Sequence, residues 1–480
     1  MHALSAALLL AISLAQPAPD AGTEPTADTH YAEGVEALKA KNADAAESAL
    51  RKCVTADEKR ADCRWELGWA LYLKGDWAGV VEQWSEVKRL QPDHPQVDER
   101  LSEAKAQAEL KAKLAQMSKE APAVERKPRP DVSLRLRAVG DVMIGTDFPE
   151  GYLPPEDGAT VMSGVYDLLR DADLTFINLE GPLCDDPTPS PKCRKNSTNC
   201  YAFRSPTRYV KYLTEAGVDL ASTANNHAGD FGEVCRRQTE STLDGAGIKW
   251  SGAPGSIAST EKNGLKVAMV AFHTSPAVND VNDHATAAAL VRSAAQGHDI
   301  VIVSFHGGAE GAKNTRVPHG RETFHGENRG DLRTFTRVVV DAGADLVIGH
   351  GPHVLRGMEL YKDRLIAYSL GNFATYGRFN LSGPLGIGVV LEAVLDGEGR
   401  FVSGRLLPTK QIDKGIAVKD PEGTAIAQVR LLSAEDFPHT GVLVDAEGNL
   451  GARESAKAAP KSEPKKPATG VKGKGKAATP

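Results

Sequence analysis

Seven residues of the types that bind metal ions or move protons stand just after hydrophobic runs: Asp141, Glu180, Asn226, His227, His306, His350 and His353. LRLRAV (134–139) runs into Gly140-Asp141, LTFINL (174–179) into Glu180-Gly181-Pro182, and VDLAST (218–223) into Asn225-Asn226-His227. IVIVSF (300–305) is followed by His306-Gly307-Gly308, ADLVIG (344–349) by His350-Gly351-Pro352-His353, and RLIAYSL (364–370) by Gly371-Asn372-Phe373. Singly, each polar residue has an ordinary explanation: Asp141 as a turn cap, Asn226 in a left-handed position, a histidine satisfied in a core. As a set they point to bound metal, because charge at the end of a core strand costs stability unless it is paired or metal-bound. Carboxylate, amide oxygen and imidazole without thiolate make a borderline-hard donor set. It suits one or two divalent ions, Mn, Fe or Zn, rather than copper(I) or an iron–sulfur cluster.

The runs themselves, with VAMVAF (267–272), read as buried strands. Helical stretches fit between them at 161–170, at 206–216 with Ser205 as N-cap and Pro206 in the first turn, and at 232–246. Such alternation predicts an α/β fold, a sheet layered by helices. Ligands in open sheets of this class bind outside the carboxyl ends of strands, which is where these residues stand. After Gly386 two consecutive strands, GIGVVLEAVL and FVSGRLLPT, flank a DGEG turn and predict a closing hairpin.

GDVMIG (140–145), NLEGPL (178–183), ANNHAGDFG (224–232), FHGGAE (305–310), GADLVIGHGPHVLRGMELY (343–361) and IAYSLGNF (366–373) occur in that order. Together they resemble the CapA family, bacterial capsule and poly-γ-glutamate accessory proteins related to calcineurin-like metallophosphoesterases. The resemblance spans the α/β region, 132–415, and implies a metallophosphoesterase-like four-layer α/β sandwich with metal at the strand ends. It further implies Asp141, Glu180, Asn226, His306, His350 and His353 as metal ligands and His227 as the group aimed at a leaving oxygen. Met143 stands where phosphoesterases carry a histidine ligand, and a thioether is a poor donor to a hard ion, so the first metal position is weakened. Gly307 replaces a frequent tryptophan, and His-Gly-Pro-His (350–353) replaces a frequent His-His-Pro-His. Arg204 and Glu310 are candidates for binding a charged substrate, with Arg316, His319, Arg321 and His325 also near these motifs.

Around this region the 480-residue chain is heterogeneous. A 25% charged, 41% hydrophobic composition describes a globular protein, and the length predicts more than one domain. The formal net charge is −6, but residues 451–480 carry +6 and leave −12 on the rest. That balance argues against a nucleic-acid-binding core and leaves the basic tail as the part able to touch anionic polymers. MHALSAALLLAISLA (1–15) reads as a secretory signal peptide cleaved after Ser13-Leu14-Ala15, which predicts export to the periplasm, envelope or outside. No other stretch is apolar enough to span a membrane.

A disordered leader (16–29) precedes a helical segment (30–119) in which Gly34/Gly68, Ala46/Val80, Leu50/Trp84 and Cys53/Val87 are each 34 residues apart. Thirty-four is the tetratricopeptide period, with small residues admitting close helix approach and Leu50 and Trp84 filling the space between. The aromatics Trp65, Trp69, Tyr72, Trp77 and Trp84 read as helix-packing core, with docking of a protein partner as the functional alternative. A Pro- and charge-rich linker (120–131), a C-terminal extension (416–450) and a low-complexity tail (451–480) complete the division. Six cysteines in an exported chain suggest disulfides over reduced buried thiols, and the local pair Cys53 and Cys63 would contribute roughly 2–3 kcal/mol through unfolded-state entropy. Pairing among Cys184, Cys193, Cys200 and Cys235 stays open. Three functions fit the residues: a metal-dependent hydrolase acting on a phosphoester or polymer-linked bond; a non-enzymatic, metal-stabilised accessory protein handling an anionic exopolymer; or a scaffold whose repeats do the work.

Overall fold

The computed structural model of the chain describes residues 26–40, 42–120, 129, 131–193 and 200–452. The expected signal peptide, most of the leader and linker, and the tail beyond 452 lie outside the described residues.

Five helices come first: α1 (Ala27–Lys39), α2 (Ala43–Ala56), α3 (Ala61–Lys74), α4 (Trp77–Leu90) and the longer α5 (Val97–Glu120). Thr26, Asn42 and Asp76 cap α1, α2 and α4 by accepting a backbone N–H from the third residue on. The 34-residue spacing has a steric basis. A Cβ on Gly34 would fall 2.4 Å from Leu50 Cγ, and one on Gly68 only 1.9 Å from Trp84 Nε1. The same glycine-against-bulk contact therefore recurs in both helix pairs. Trp84 is fully buried, stacks on Trp65 with centroids 5.2 Å apart, and donates its Nε1–H to Trp65 O at 3.2 Å. A Cys53–Cys63 disulfide staples α2 to α3.

The α/β part opens with β1 (Ser133–Met143), α6 (Tyr166–Arg170), β2 (Leu174–Leu179), α7 (Val210–Glu215), β3 (Leu220–Ser222), α8 (Gly232–Gly245) and β4 (Lys249–Ser251). It continues with β5 (Ala258–Lys262), β6 (Leu265–His273), α9 (His284–Gly297), β7 (Ile300–His306), a small hairpin β8 (Glu322–Phe324) and β9 (Glu327–Gly330), and α10 (Leu332–Asp341). β10 (Leu346–His350), β11 (Met358–Tyr361), β12 (Arg364–Ala367) and β13 (Asn372–Thr375) follow. Last come β14 (Ile387–Asp396), β15 (Phe401–Ile412), β16 (Ile416–Lys419), α11 (Thr424–Asp436), β17 (Leu443–Val444) and β18 (Asn449–Gly451).

These strands form two mixed sheets. The ten-stranded sheet runs β17-β18-β15-β14-β1-β2-β3-β4, with β13 added to β1 and β16 to β15. The six-stranded sheet runs β11-β12-β10-β7-β6-β5. Leu134, Leu136, Phe176 and Leu220 of the first sheet meet Val267, Met269, Ile302 and Ile348 of the second in a shared core. Residues of alternate parity point outward. Val301, Val303, Phe305 and Val347 pack under α9 and α10, and Val139, Ile177 and Ala221 pack against Leu169, Tyr212 and Leu213 of α6 and α7. The architecture is thus helix, sheet, sheet, helix. β14 and β15 pair antiparallel as the closing hairpin.

Three local expectations fail, the first being the helix over 161–170, which is a turn and a 3-10 stretch Ser163–Val165 before α6 begins at Tyr166. Ser205 does not cap: its hydroxyl donates to Gly145 O at 2.6 Å, and Pro206 takes the N-cap position with no side-chain bond. Tertiary anchoring of Ser205 overrides the local capping preference, and the helix expected over 206–216 is split, a 3-10 turn Thr207–Tyr209 passing into α7.

Gly68→Ala should cost about 1–3 kcal/mol by overpacking against Trp84. Gly245→Ala, where nothing lies within 4 Å of the added carbon, should be neutral or stabilise slightly. Chemical denaturation followed by tryptophan fluorescence separates the two, and equal stability of both variants would refute the close-contact account.

Candidate metal centre

Strand register assembles two rows of polar side chains. In the first sheet Asp141 pairs with Asn178 on one side and Asn372 on the other. In the second, His306 stands between His273 and His350. Period-two alternation turns Asn178, His306 and His350 toward the space between the sheets, continuing the parity of Phe176, Ile302 and Ile348. Asp141 has the wrong parity. It reaches the same space through a bulge: between Ala138 and Asp141 the β1 strand advances three residues while β2 advances two. Gly140 sits in that bulge, where a Cβ would fall 1.9 Å from Gly371 O, so only glycine fits.

Asp141 is fully buried and is the hub of the cluster. Its Oδ1 accepts from Asn178 Nδ2 at 2.8 Å and lies 3.4 Å from His350 Nδ1; its Oδ2 lies 2.9 Å from His353 Nδ1. Asn372 Oδ1 is 3.0 Å from the same His353 nitrogen. Glu180 Oε1 is surrounded by imidazoles, 3.9 Å from His227 Nε2, 3.9 Å from His306 Nε2 and 3.7 Å from His353 Nε2. These separations are too long for hydrogen bonds. Both Glu180 oxygens, His306 Nε2, both His350 ring nitrogens and Asn226 Oδ1 are buried without a hydrogen-bond partner. Buried polar atoms are nearly always satisfied, and the orphans on Glu180, His306 and His350 lie around Asp141, which is the pattern of a site built to take a ligand. Asp141, Glu180 and His353 each offer a donor atom within 4.8 Å of the others, and oxygen and imidazole donors suit a divalent ion. The residues fit a metal.

Electrostatics make the same point. Burial alone would raise the Asp141 carboxyl, but the close approach of His350, the hydrogen bond with His353 and the nearby imidazoles hold it well below the ordinary range. Burial and the Asp141 charge push Glu180 well above it. Burial lowers His306 strongly, whereas His353 is lifted against its burial to about 10 by Glu180 and Asp141. Two acids that cannot both ionise freely are thus set side by side, with the His353 imidazole drawn toward its charged form between them.

At the rim, His227 Nδ1 lies 2.6 Å from Asp230 Oδ2, leaving Nε2 toward the centre. Asp230 is fully buried and its Oδ1 binds Lys192 Nζ at 2.7 Å. Phe203 lies against His227 (4.2 Å between centroids) and against Phe379 (5.1 Å), which also meets His353 (5.4 Å). Glu310 reaches the centre, 3.9 Å from His353 Nε2, and is held by buried Arg329 at 2.9 Å. Arg204 is engaged elsewhere, on Asp147 at 2.8 Å and Asp186 O at 2.5 Å, and braces the loop. Arg316 pairs with Glu435 and Asp436, His319 and Arg321 are exposed, and His325 packs on Phe324. Met143 turns its sulfur to Gly145 N at 3.2 Å. Disulfides Cys184–Cys235 and Cys193–Cys200 tie the insert carrying Lys192 to α8 and to itself. Sequence reasoning left Asn178, Lys192, Asp230, Asn372 and Arg329 without roles. Three of them stood inside the motifs, but LTFINL is apolar on both faces, so alternation along it gave Asn178 no side.

A sequence profile described as "Bacterial capsule synthesis protein PGA_cap" matches residues 135–376. The PGA biosynthesis protein CapA of Bacillus subtilis (strain 168) is 29% identical over 266 residues, 51% of this chain and 63% of that protein. The capsule biosynthesis protein CapA of Bacillus anthracis is 27% identical over 269 residues, 52% and 61% respectively. A probable polyglutamine synthesis accessory protein of Mycobacterium tuberculosis (strain H37Rv) is 28% identical over 235 residues, 42% and 55%. The chain therefore spans less than two thirds of the length of each of these relatives.

Asp141→Ala, Asn226→Ala and His306→Ala should each lower the metal content of purified protein, measured by mass spectrometry after loading with Mn, Fe or Zn. Glu180→Leu should lose metal yet raise the melting temperature of chelator-stripped protein by a few degrees. It removes two buried oxygens that make no hydrogen bond, a cost of roughly 1–3 kcal/mol. Wild-type protein that takes up no metal would sink both expectations.

Proposed function

The chain belongs to the bacterial capsule synthesis family, and from that premise we propose that it is a metal-dependent, phosphoesterase-like hydrolase exported to the cell envelope and serving capsule or exopolymer metabolism. The observation carrying this reading is the set of buried, unpartnered donors on Glu180, His306 and His350 around the carboxylate of Asp141. A divalent ion held by these residues with His353 would lower the pKa of bound water and stabilise charge on a transferring phosphoryl group.

The chain's own groups supply the rest. Asp230 engages His227 Nδ1 and orients the ring, so Nε2 is the nitrogen that faces the centre to exchange a proton with a leaving oxygen. Lys192 offsets the Asp230 charge and keeps the pair from burying an uncompensated carboxylate. Phe203 and Phe379 limit water at the rim. Three disulfides taking up all six cysteines support an oxidising compartment and hence export. The substrate class is a phosphoester or an anionic exopolymer of the poly-γ-glutamate type.

A second reading, a non-enzymatic accessory protein that binds the exopolymer while its helical repeats dock a partner, is favoured by one observation. Met143 spends its sulfur on Gly145 N, so the position where phosphoesterases carry histidine offers no donor.

Metal-loaded protein screened against phosphomonoesters, phosphodiesters and poly-γ-glutamate tests the choice. On the hydrolase reading His227→Ala keeps its metal and loses activity by about 10²–10⁴-fold, the usual worth of a general acid–base. Asp230→Asn should fall between it and wild type. Polymer binding without turnover of any substrate would decide for the accessory reading.

A further inference from the structure

A cleft of about 440 Å³ lies between the helical repeats and the α/β part, within the size range of small-ligand sites. Tyr72, Trp77 and Lys111 line it from the helices, Phe272 and Asp280 from β6 and the loop leading to α9. Gln107 holds the two walls together by donating to Pro276 O and, at 2.9 Å, to Val278 O.

The charges of this cleft do not balance. Lys111 is spent on Asp283 at 3.0 Å and Gly75 O at 3.3 Å, and Lys74 on Asp44 at 2.8 Å and Glu47 at 2.7 Å. Asp283 is also the N-cap of α9, accepting from Thr286 N at 3.1 Å, so the positive end of that helix is already answered. Asp280 differs. Its Oδ1 accepts from Asn282 N at 2.8 Å, and no cation lies in ion-pair contact with it among the described residues. Burial lifts its carboxyl to about 6, which still leaves it ionised at neutral pH. A carboxylate set into a wall without a counter-charge favours a cationic ligand. Tyr72 and Trp77 pack edge-on at 5.1 Å beside it, offering ring surface of the kind that attracts ammonium groups. The carbonyl end of α3, at Lys74, adds the negative end of a helix dipole.

We propose that this cleft binds a primary ammonium group on an alkyl chain, with Asp280 as its counter-charge and Tyr72 and Trp77 as its aromatic wall. The ammonium could be a free alkyl diamine or a lysine side chain, and the test distinguishes them. Calorimetric titration of the full chain uses 1,5-diaminopentane, a glycine-flanked single-lysine peptide and, as an anionic control, glutarate. Saturable binding of either amine is expected, weakened on the order of tenfold or more in Asp280→Asn and a few-fold in Tyr72→Leu. Diamine binding assigns a free amine, and binding of the peptide alone assigns a polypeptide lysine. Asp141→Ala should bind the amine like wild type, which separates this cleft from the metal centre. Asp280→Asn removes an uncompensated charge and should melt no lower than wild type, so misfolding does not obscure the result. Failure of both amines to bind, undiminished binding by Asp280→Asn, or preference for glutarate overturns the proposal.

Discussion

A carboxylate held out of water between two sheets is the constraint around which this protein is organised. Asp141 is fully buried, and its desolvation is offset by a donor amide from Asn178 and by the imidazoles of His350 and His353. Isolated buried charge of this kind is not sustainable, so every neighbouring element must deliver a partner to the right place. Parallel strands do this efficiently, because neighbouring residues fall side by side: β1 and β2 near their carboxyl ends and β13 at its first residue bring Asp141, Asn178 and Asn372 into one row, and the carboxyl ends of β6, β7 and β10 bring three histidines into another. The outer helices complete the arrangement. Their apolar faces cover both sheets, exclude water and keep the local dielectric low, which makes each pairing stronger and each unpaired atom more costly.

The same logic explains why the loops around the centre are stapled. The segment after Glu180 is long and, among its described residues, carries few regular elements up to Pro206, yet Lys192 within it meets Asp230. Cys184–Cys235 joins the start of that segment to α8, the helix that follows the Asn226-His227 loop. A bridge closing 51 residues is worth roughly 4 kcal/mol in the chain-entropy model, more than the local bridges provide. Glu310 is fixed differently, by the buried guanidinium of Arg329. Two devices, covalent and ionic, thus limit the motion of groups that approach the centre from loops rather than from strands.

The helical repeats are not a detached appendage. Leu110 and Leu114 of α5 belong to the apolar layer that covers the outer face of the second sheet together with α9 and α10. Arg236 of α8 meets Glu103 of α5 at 3.4 Å, adding a polar contact near the other sheet. The family match begins at residue 135, after these helices. What the repeats add is therefore carried on α5, one face in the repeat core with Leu101 and Ala104 and the other in the α/β layer.

Much of this was legible in the residues themselves, for a physical reason: buried strands are continuous apolar runs, and polar residues at their ends stand out against them. The end of the run IVIVSF marked His306 as a site candidate, and the 34-residue spacing of Gly34 and Gly68 reported a steric contact that a glycine alone permits. The motifs also sufficed for the α/β class and the family. Other features had no local signature. Parity would have turned Asp141 toward the helices, and only the bulge at Gly140, forced by the approach of Gly371 O, brings it to the histidines. Ser205 had every mark of a helix cap and was claimed by Gly145 O instead. Arg204, chosen from sequence for a substrate, is held by Asp147, a partner 57 residues away. Type and spacing determine what a strand or helix will be and which residues can do chemistry. Which face a bulged residue takes, which cysteines pair and which charges are already satisfied are set by contacts between distant segments, and those exist only once the two sheets close on each other.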